Sequence, residues 1–229
     1  PVLITGETGT GKGQIARAIH YNGLRRDQAL VEVNCAALPG SLVEAELFGN
    51  ERGAYTGAHT ARAGLIEVAA KGSIFLDDIG TLDLDLQAKL LRFLDDRTVR
   101  RLGSNRERFI DVQFIAATHR DLAAAAQMGE FRDDLFFRLS VVHLQLPPLR
   151  ERGDDVLDLA EAFLEERCGA YGIPVQRLSD PCRDAMRRYP WPGNIRELRN
   201  RLERVVLLHD GAVIEPHHLE FPESSHPVE

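Results

Sequence analysis

The chain has few cysteines, no excess of positive charge and no long apolar run, and each shortage closes off a class of function. Cys35, Cys168 and Cys182 are scattered, odd in number and without CxxC spacing. Neither a disulfide framework nor a cysteine metal centre is expected, and all three read as reduced packing residues. Lysine and arginine total 28 against 35 aspartates and glutamates, a net charge of −7. A domain that grips duplex DNA by itself carries a basic balance or stripe, so direct DNA binding by this segment is disfavoured. No stretch approaches the ~18–20 apolar residues of a membrane span, and no signal peptide opens the chain. The expectation is a cytoplasmic protein with no membrane partner. Fixed-period repeats and low-complexity segments are missing too.

What is present is the composition of a globular domain, 44% hydrophobic and 28% charged over 229 residues, enough chain to bury a core. Pro1-Val2-Leu3-Ile4 reads as a strand entered mid-sequence, with the N-terminal edge of its domain truncated. The first two-thirds alternates short β-rich runs with amphipathic segments, the pattern of a parallel sheet covered by helices. Strands are expected at residues 2–5, 30–34, 73–77, 112–118 and 141–146. Helices are expected at 15–21 and 86–94, the second with Leu86, Leu90, Phe93 and Leu94 on one face. Ser41 and Glu44 have the spacing of a capping box.

After Pro147-Pro148 the strands give way to helices. One is expected over 155–168 with Val156, Leu159, Phe163 and Leu164 on its buried stripe. Ser179-Asp180-Pro181 starts a second, since proline suits the first turn. Asn194 is read as the cap of a third, carrying Ile195, Leu198, Leu202 and Val205 and ended by Asp210-Gly211. A strand remains conceivable only at 212–214. The division expected is an α/β nucleotide-binding domain over 1–150, a helical lid over 151–221, and a polar linker over 222–229.

Gly6, Glu7, Thr8, Gly9, Thr10, Gly11 and Lys12 follow a strand and precede a helix, the context a Walker A phosphate loop requires. Glycines let the backbone curl so that N–H groups face phosphate oxygens, and the helix N-terminus adds its positive end. Lys12 would reach the β- and γ-phosphates. Gly13 stands where Ser or Thr normally holds magnesium, leaving more of the ion to water and downstream carboxylates. Residues 72–78 are an apolar strand ending in two carboxylates, as a Walker B motif does. Asp77 would enter the magnesium sphere and Asp78 would polarise the attacking water.

Gly53-Ala54-Tyr55-Thr56-Gly57-Ala58 resembles the GAFTGA loop of the AAA+ domains of sigma-54-dependent transcription activators. The resemblance extends through Glu46-Leu-Phe-Gly49, Ala116-Ala-Thr-His119, Leu146-Pro-Pro-Leu-Arg150 and Trp191-Pro-Gly-Asn-Ile-Arg-Glu-Leu198. It implies an AAA+ fold, ATP and Mg2+, and a hexameric or heptameric ring with nucleotide sites between subunits. It also implies remodelling of sigma-54 RNA polymerase holoenzyme by a signal-responsive regulator, with DNA reached through a domain absent from this chain. Residues 53–58 would touch the sigma factor, with Tyr55 and Thr56 at the tip. Arg138 and Arg132 resemble arginines donated to the neighbour's ATP, against the plainer reading of surface pairs with Asp133 or Asp134. Arg196 is similar to the lid arginine that reports the γ-phosphate, Thr118 to the sensor at the end of its strand, and Asn34 to the residue that restrains the Walker B acid. Residues 98–108 are expected as a loop that moves with residues 53–58, and its arginines 100, 101, 106 and 108 read equally as a stripe near promoter DNA and as a solvated cluster.

Three positions depart from the family. Asp78 replaces the usual glutamate and is shorter by one C–C bond, ~1.5 Å. Tyr55 replaces phenylalanine, and Gly13 removes a metal contact. Slowed hydrolysis is the expectation. An ATP-binding assembly switch with weak turnover is the alternative reading, and a generic AAA+ unfoldase is the third, against which the 53–58 loop argues.

Overall fold

The structure is a computed structural model that describes residues 1–37, 40–55 and 58–221, with Ser41 by its backbone alone. It divides into two compact units, Pro1–Gly6 with Lys12–Leu146, and Glu7–Gly11 with Pro147–Glu229.

The first unit is built on strands β1 (Val2–Thr5), β2 (Leu30–Asn34), β3 (Ser73–Asp77), β4 (Gln113–Thr118) and β5 (Val142–Gln145). All four pairings are parallel, in the order β2-β3-β4-β1-β5. Five of the sequence-predicted strands are therefore present, the last two trimmed at their ends. Side chains alternate across a strand, so each face is covered separately. Leu3, Ile74, Leu76, Phe114 and Ala116 join one apolar cluster with Leu86, Leu90, Phe93 and Leu94. Ile4, Phe75, Ile115 and Ala117 join another with Ala16.

Helix α1 (Lys12–Tyr21) supplies Ala16. Helix α2 spans Gly40–Phe48, and the capping role expected of Ser41 lies outside the described residues. Helix α3 (Leu84–Asp96) carries the predicted apolar stripe. The Asp83 carboxylate accepts from Leu86 N at its start, and Arg97 closes it in a left-handed conformation with φ 57°. Helices α4 (Leu122–Gln127) and α5 (Asp133–Leu139) also belong to this unit. Residues 98–108, read from sequence as a loop, form most of an antiparallel hairpin, Thr98–Arg100 against Glu107–Phe109.

In the second unit, helix α6 runs Asp155–Tyr171 and stops at Gly172, φ 67°. Its buried stripe is Val156, Leu157, Ala160, Leu164 and Cys168, while Leu159 and Phe163 are only partly buried. The small Ala160 occupies the close-contact row at four-residue spacing, which a search for large apolar residues passes over. Helix α7 (Asp180–Arg188) starts as expected, with Ser179 Oγ accepting from Cys182 N. Helix α8 (Asn194–Leu208) ends at Leu208, two residues before Asp210, with His209 as its C-cap. The strand at Val213–Ile214 pairs with Arg177–Leu178, a partner the sequence did not betray. Trp191 is fully buried in this core and donates through Nε1 to Met186 O (2.9 Å). All three cysteines are free and buried.

Candidate nucleotide site

The carboxyl ends of the parallel strands gather the polar residues of the first unit. Register pairs Asn34 with Asp77 and Thr5 with Thr118, and Gly6 follows β1 directly. Asp78 sits in the left-handed region at φ 56° and ψ 45°, which aspartate enters more readily than most residues. Its backbone N donates to Asp77 Oδ1 (3.1 Å), and His119 Nδ1 donates to its own Oδ1 (3.0 Å). Thr118 is buried, and its Oγ1 accepts from Arg120 N (3.0 Å). Asn34 Oδ1 accepts from Ala36 N (2.9 Å), a turn at the strand end. Burial, with Asp77 and Asp78 adding negative charge nearby, pushes the Cys35 thiol up to about 12.

Gly6, Gly9 and Gly11 take φ values of 151°, 85° and 94°, which side chains on L-residues oppose. Lys12 is buried and its Nζ donates to Gly6 O (2.9 Å). Thr10 folds back, donating through Oγ1 to Glu7 O (2.8 Å). Gly13 is a different case. A Cβ there would meet only Phe75 Cε1 at 3.8 Å, so packing leaves room for a hydroxyl-bearing residue.

The segment Glu7–Gly11 is bound within the second unit. Glu7 takes both guanidinium nitrogens of Arg150, at 2.9 and 2.6 Å, and Asn194 Nδ2 at 3.1 Å. Those donors, Arg150 first, hold its carboxyl down at about 2. Gly9 lies against the start of α8, where a Cβ would stand 2.3 Å from Gly193 O and 3.2 Å from Arg196 Cβ. Arg196 is exposed and borders a hollow lined by Thr8, Gly193, Asn200 and Arg204.

Asn194 does not cap its own helix, contrary to the sequence reading. Gly193 occupies the cap position, and Asn194 is buried with φ 52°. Its side chain is drawn off to accept from Leu149 N (2.8 Å) and to donate to Glu7 and to Thr8 O (3.1 Å). Glu197 Oε2 instead accepts from Gly193 N (2.9 Å).

Arg132 lies just before α5 in a bidentate pair with Asp134 (3.0 and 2.8 Å). Arg138 pairs with Asp95 (3.0 Å) and donates to Leu94 O (3.1 Å). Both pairs are about half exposed. Of residues 53–58, Gly53 N donates to Ala58 O (2.8 Å) and Ala58 N to Tyr55 O (3.0 Å). Tyr55 is exposed, Ala58 is buried, and Thr56 and Gly57 lie outside the described residues. The base of this loop is tied to the 98–109 hairpin by Glu51 N to Leu102 O and Leu102 N to Gly49 O, each 2.9 Å. Arg100 pairs with Glu107, and Arg101 and Arg108 with Glu67, so three of those four arginines are engaged by acids of the same chain.

A glycine loop leaving the β1 position of a β2-β3-β4-β1-β5 parallel sheet, with acids at the end of β3 and a helical unit following, defines the AAA+ class of P-loop nucleotide-binding proteins. Residues 1–145 match the family model described as the Sigma-54 interaction domain, and residues 150–226 match the AAA+ ATPase lid domain. The chain belongs to the sigma-54 interaction family of AAA+ domains. It is 48% identical over 220 residues to the alginate biosynthesis transcriptional regulatory protein AlgB of Pseudomonas aeruginosa, covering 96% of this chain and 49% of that protein. It is 50% identical over 213 residues to the regulatory protein AtoC of Escherichia coli, covering 93% and 46%. A crystal structure of NtrX from Brucella abortus in complex with ATP superposes with a TM-score of 0.88 at 33% identity, covering 99% of this chain and 52% of that one. The chain thus spans about half the length of the curated relatives it matches. No helix among the described residues is long and apolar enough to cross a membrane.

Proposed function

We propose that the chain is the ATP-hydrolysing motor of a transcription activator that assembles into a ring and remodels sigma-54 RNA polymerase holoenzyme. The observation that carries this is the phosphate loop of residues 6–12, with φ of 151°, 85° and 94° at its three glycines, in a chain that matches the Sigma-54 interaction family over residues 1–145. The amides of the loop and Lys12 would bind the triphosphate, with Arg196 near the γ-phosphate and Thr118 sensing it from the end of β4. Asp77 fits a magnesium ion as a strand-end carboxylate, and Gly13 offers it no hydroxyl. Bound magnesium would neutralise charge that develops on the phosphate oxygens. Asp78, held by His119, would orient the attacking water, with Asn34 restraining it until the sigma factor engages.

Arg138 and Arg132 would reach the site of the adjacent subunit. Their present partners are half-exposed acids, and such a pair is worth only about 0–1 kcal/mol, so release costs little. Movement on hydrolysis would pass to residues 53–58, where exposed Tyr55 presents an aromatic ring with a hydroxyl to the sigma factor.

A second reading, an ATP-bound assembly switch with weak turnover, is favoured by the short reach of Asp78. Phosphate release measured against protein concentration separates the two. A motor completed by a neighbour's arginine gains turnover per subunit as it assembles, whereas a switch binds ATP and stays slow at every concentration. Open-complex formation with sigma-54 holoenzyme then tests the partner. An ATPase that leaves the closed complex untouched would rule out this activator.

A further inference from the structure

A glycine-rich loop offers its N–H groups to an anion only if its carbonyls point away, and glycine alone does not choose that arrangement. Here donors take up the oxygens. Gly6 O accepts from Lys12 Nζ and Glu7 O from Thr10 Oγ1. Thr8 O accepts from Asn194 Nδ2 (3.1 Å), and Thr10 O from Arg152 Nη2 (3.0 Å). Asn194 is the centre of this arrangement. It is fully buried, it spends a left-handed backbone conformation on its position, and three partners use its amide: Leu149 N, Glu7 Oε2 and Thr8 O. Its orientation follows from those partners, because the oxygen must meet the one N–H and the nitrogen the two acceptors.

Glu7 raises a second question. A carboxylate inside a loop meant for a polyanion repels its ligand. The bidentate Arg150 neutralises that charge and anchors the carboxylate in one place.

We infer that Asn194 and Arg150 are positioning residues, a clasp that acts through Glu7 and Thr8 O to hold the loop in its anion-accepting form and to cancel its negative charge. The inference rests on the nucleotide reading above and adds to it that ATP affinity is set in part by side chains at positions 150 and 194, outside the Walker motifs. The whole clasp lies within the second unit.

The test is calorimetric titration of the 229-residue chain and its variants with magnesium ATP, each variant first checked by thermal melting. Arg150→Ala removes a half-exposed side chain and is expected to fold and to weaken ATP about tenfold, the scale of a lost charge-assisted contact. Asn194→Gly tolerates the left-handed backbone and is expected to do the same. Glu7→Gln keeps one oxygen for Arg150 Nη1 and Asn194 Nδ2 but sets an NH2 donor against Arg150 Nη2, so it should weaken ATP by less than Glu7→Ala does. In the double variant Glu7→Ala/Arg150→Ala the losses should not add, since both remove one contact. Folded Arg150→Ala and Asn194→Gly proteins that bind ATP as tightly as the parent overturn the clasp while leaving the nucleotide site standing. A parent chain that binds no ATP overturns both.

Discussion

Asp77 and Thr118 owe their places to backbone register along parallel strands, whereas Glu7 and Thr8 are held by side chains contributed from positions 150 and 194. The first arrangement is built by period-2 packing on two sheet faces and keeps its geometry as long as the sheet exists. The second depends on one half-exposed ion pair and on the hydrogen bonds of a buried asparagine, and single substitutions can undo it while the sheet stands. The difference teaches that chemistry at the strand ends should respond to substitution through rate, and chemistry at the loop through affinity.

The largest effect should come from Arg138→Ala. An arginine supplied from a neighbouring subunit to the transferring phosphoryl group is worth about 10³-fold or more in turnover. Steady-state phosphate release under saturating ATP should fall by that order while ATP affinity stays near the parent's. A purely surface role in the Asp95 pair would leave both unchanged.

Asp78→Glu should act next, in the opposite direction. Restoring one C–C bond of reach recovers a displacement near 1 Å, worth up to about 10²-fold in rate. Phosphate release is the measurement, and equal or lower turnover would refute the explanation of the substitution. The same change puts glutamate in the left-handed conformation of Asp78, so a slightly lower melting temperature should accompany the gain.

The smallest effect belongs to Glu7 and concerns what its Arg150 pairing adds to the stability of the loop. Its carboxyl is held at about 2 against an ordinary 4.5. A depressed carboxyl contributes stability that is fully present above its ordinary value and is lost as the pH falls toward the folded value. Thermal melts from neutrality down to about pH 3 should therefore show the gap between the parent and Glu7→Gln closing below about pH 4.5. A gap constant across that window would mean that the Arg150 pairing adds nothing to the folded state.

The legible and illegible parts of the molecule divide along the same line. The strands ending in Asn34 and Asp77 could be read because hydrophobic runs and β-branched residues announce them, and the glycine spacing of residues 6–12 announces a turn that must accept positive φ. The hairpin over 98–109 was missed because Arg100, Arg101, Arg106 and Arg108 mask it as a solvated loop. Their partners, Glu67 and Glu107, become visible only in space. Asn194 misled for a related reason. An asparagine at the head of an apolar helix has the chemistry of a cap, but the same amide serves equally well for any nearby N–H and oxygen, and here those belong to Leu149, Glu7 and Thr8. His119 gave no signal as the partner of Asp78, because a histidine after a strand is ordinary until a carboxylate is found beside it.

Subunit mixing tests the central claim most directly. On the proposed mechanism, Lys12→Ala chains keep Arg138 but lose the grip on the triphosphate, and Arg138→Ala chains keep the grip but have no guanidinium to donate. Each alone should release phosphate at a small fraction of the parent rate. Mixed in equal amounts, they should regain turnover well above the sum of the two, because some junctions then pair an intact loop with an intact arginine. Mixtures that stay as slow as their components at every ratio, beside a parent whose turnover per subunit is unchanged by dilution, would show that no subunit completes its neighbour's site.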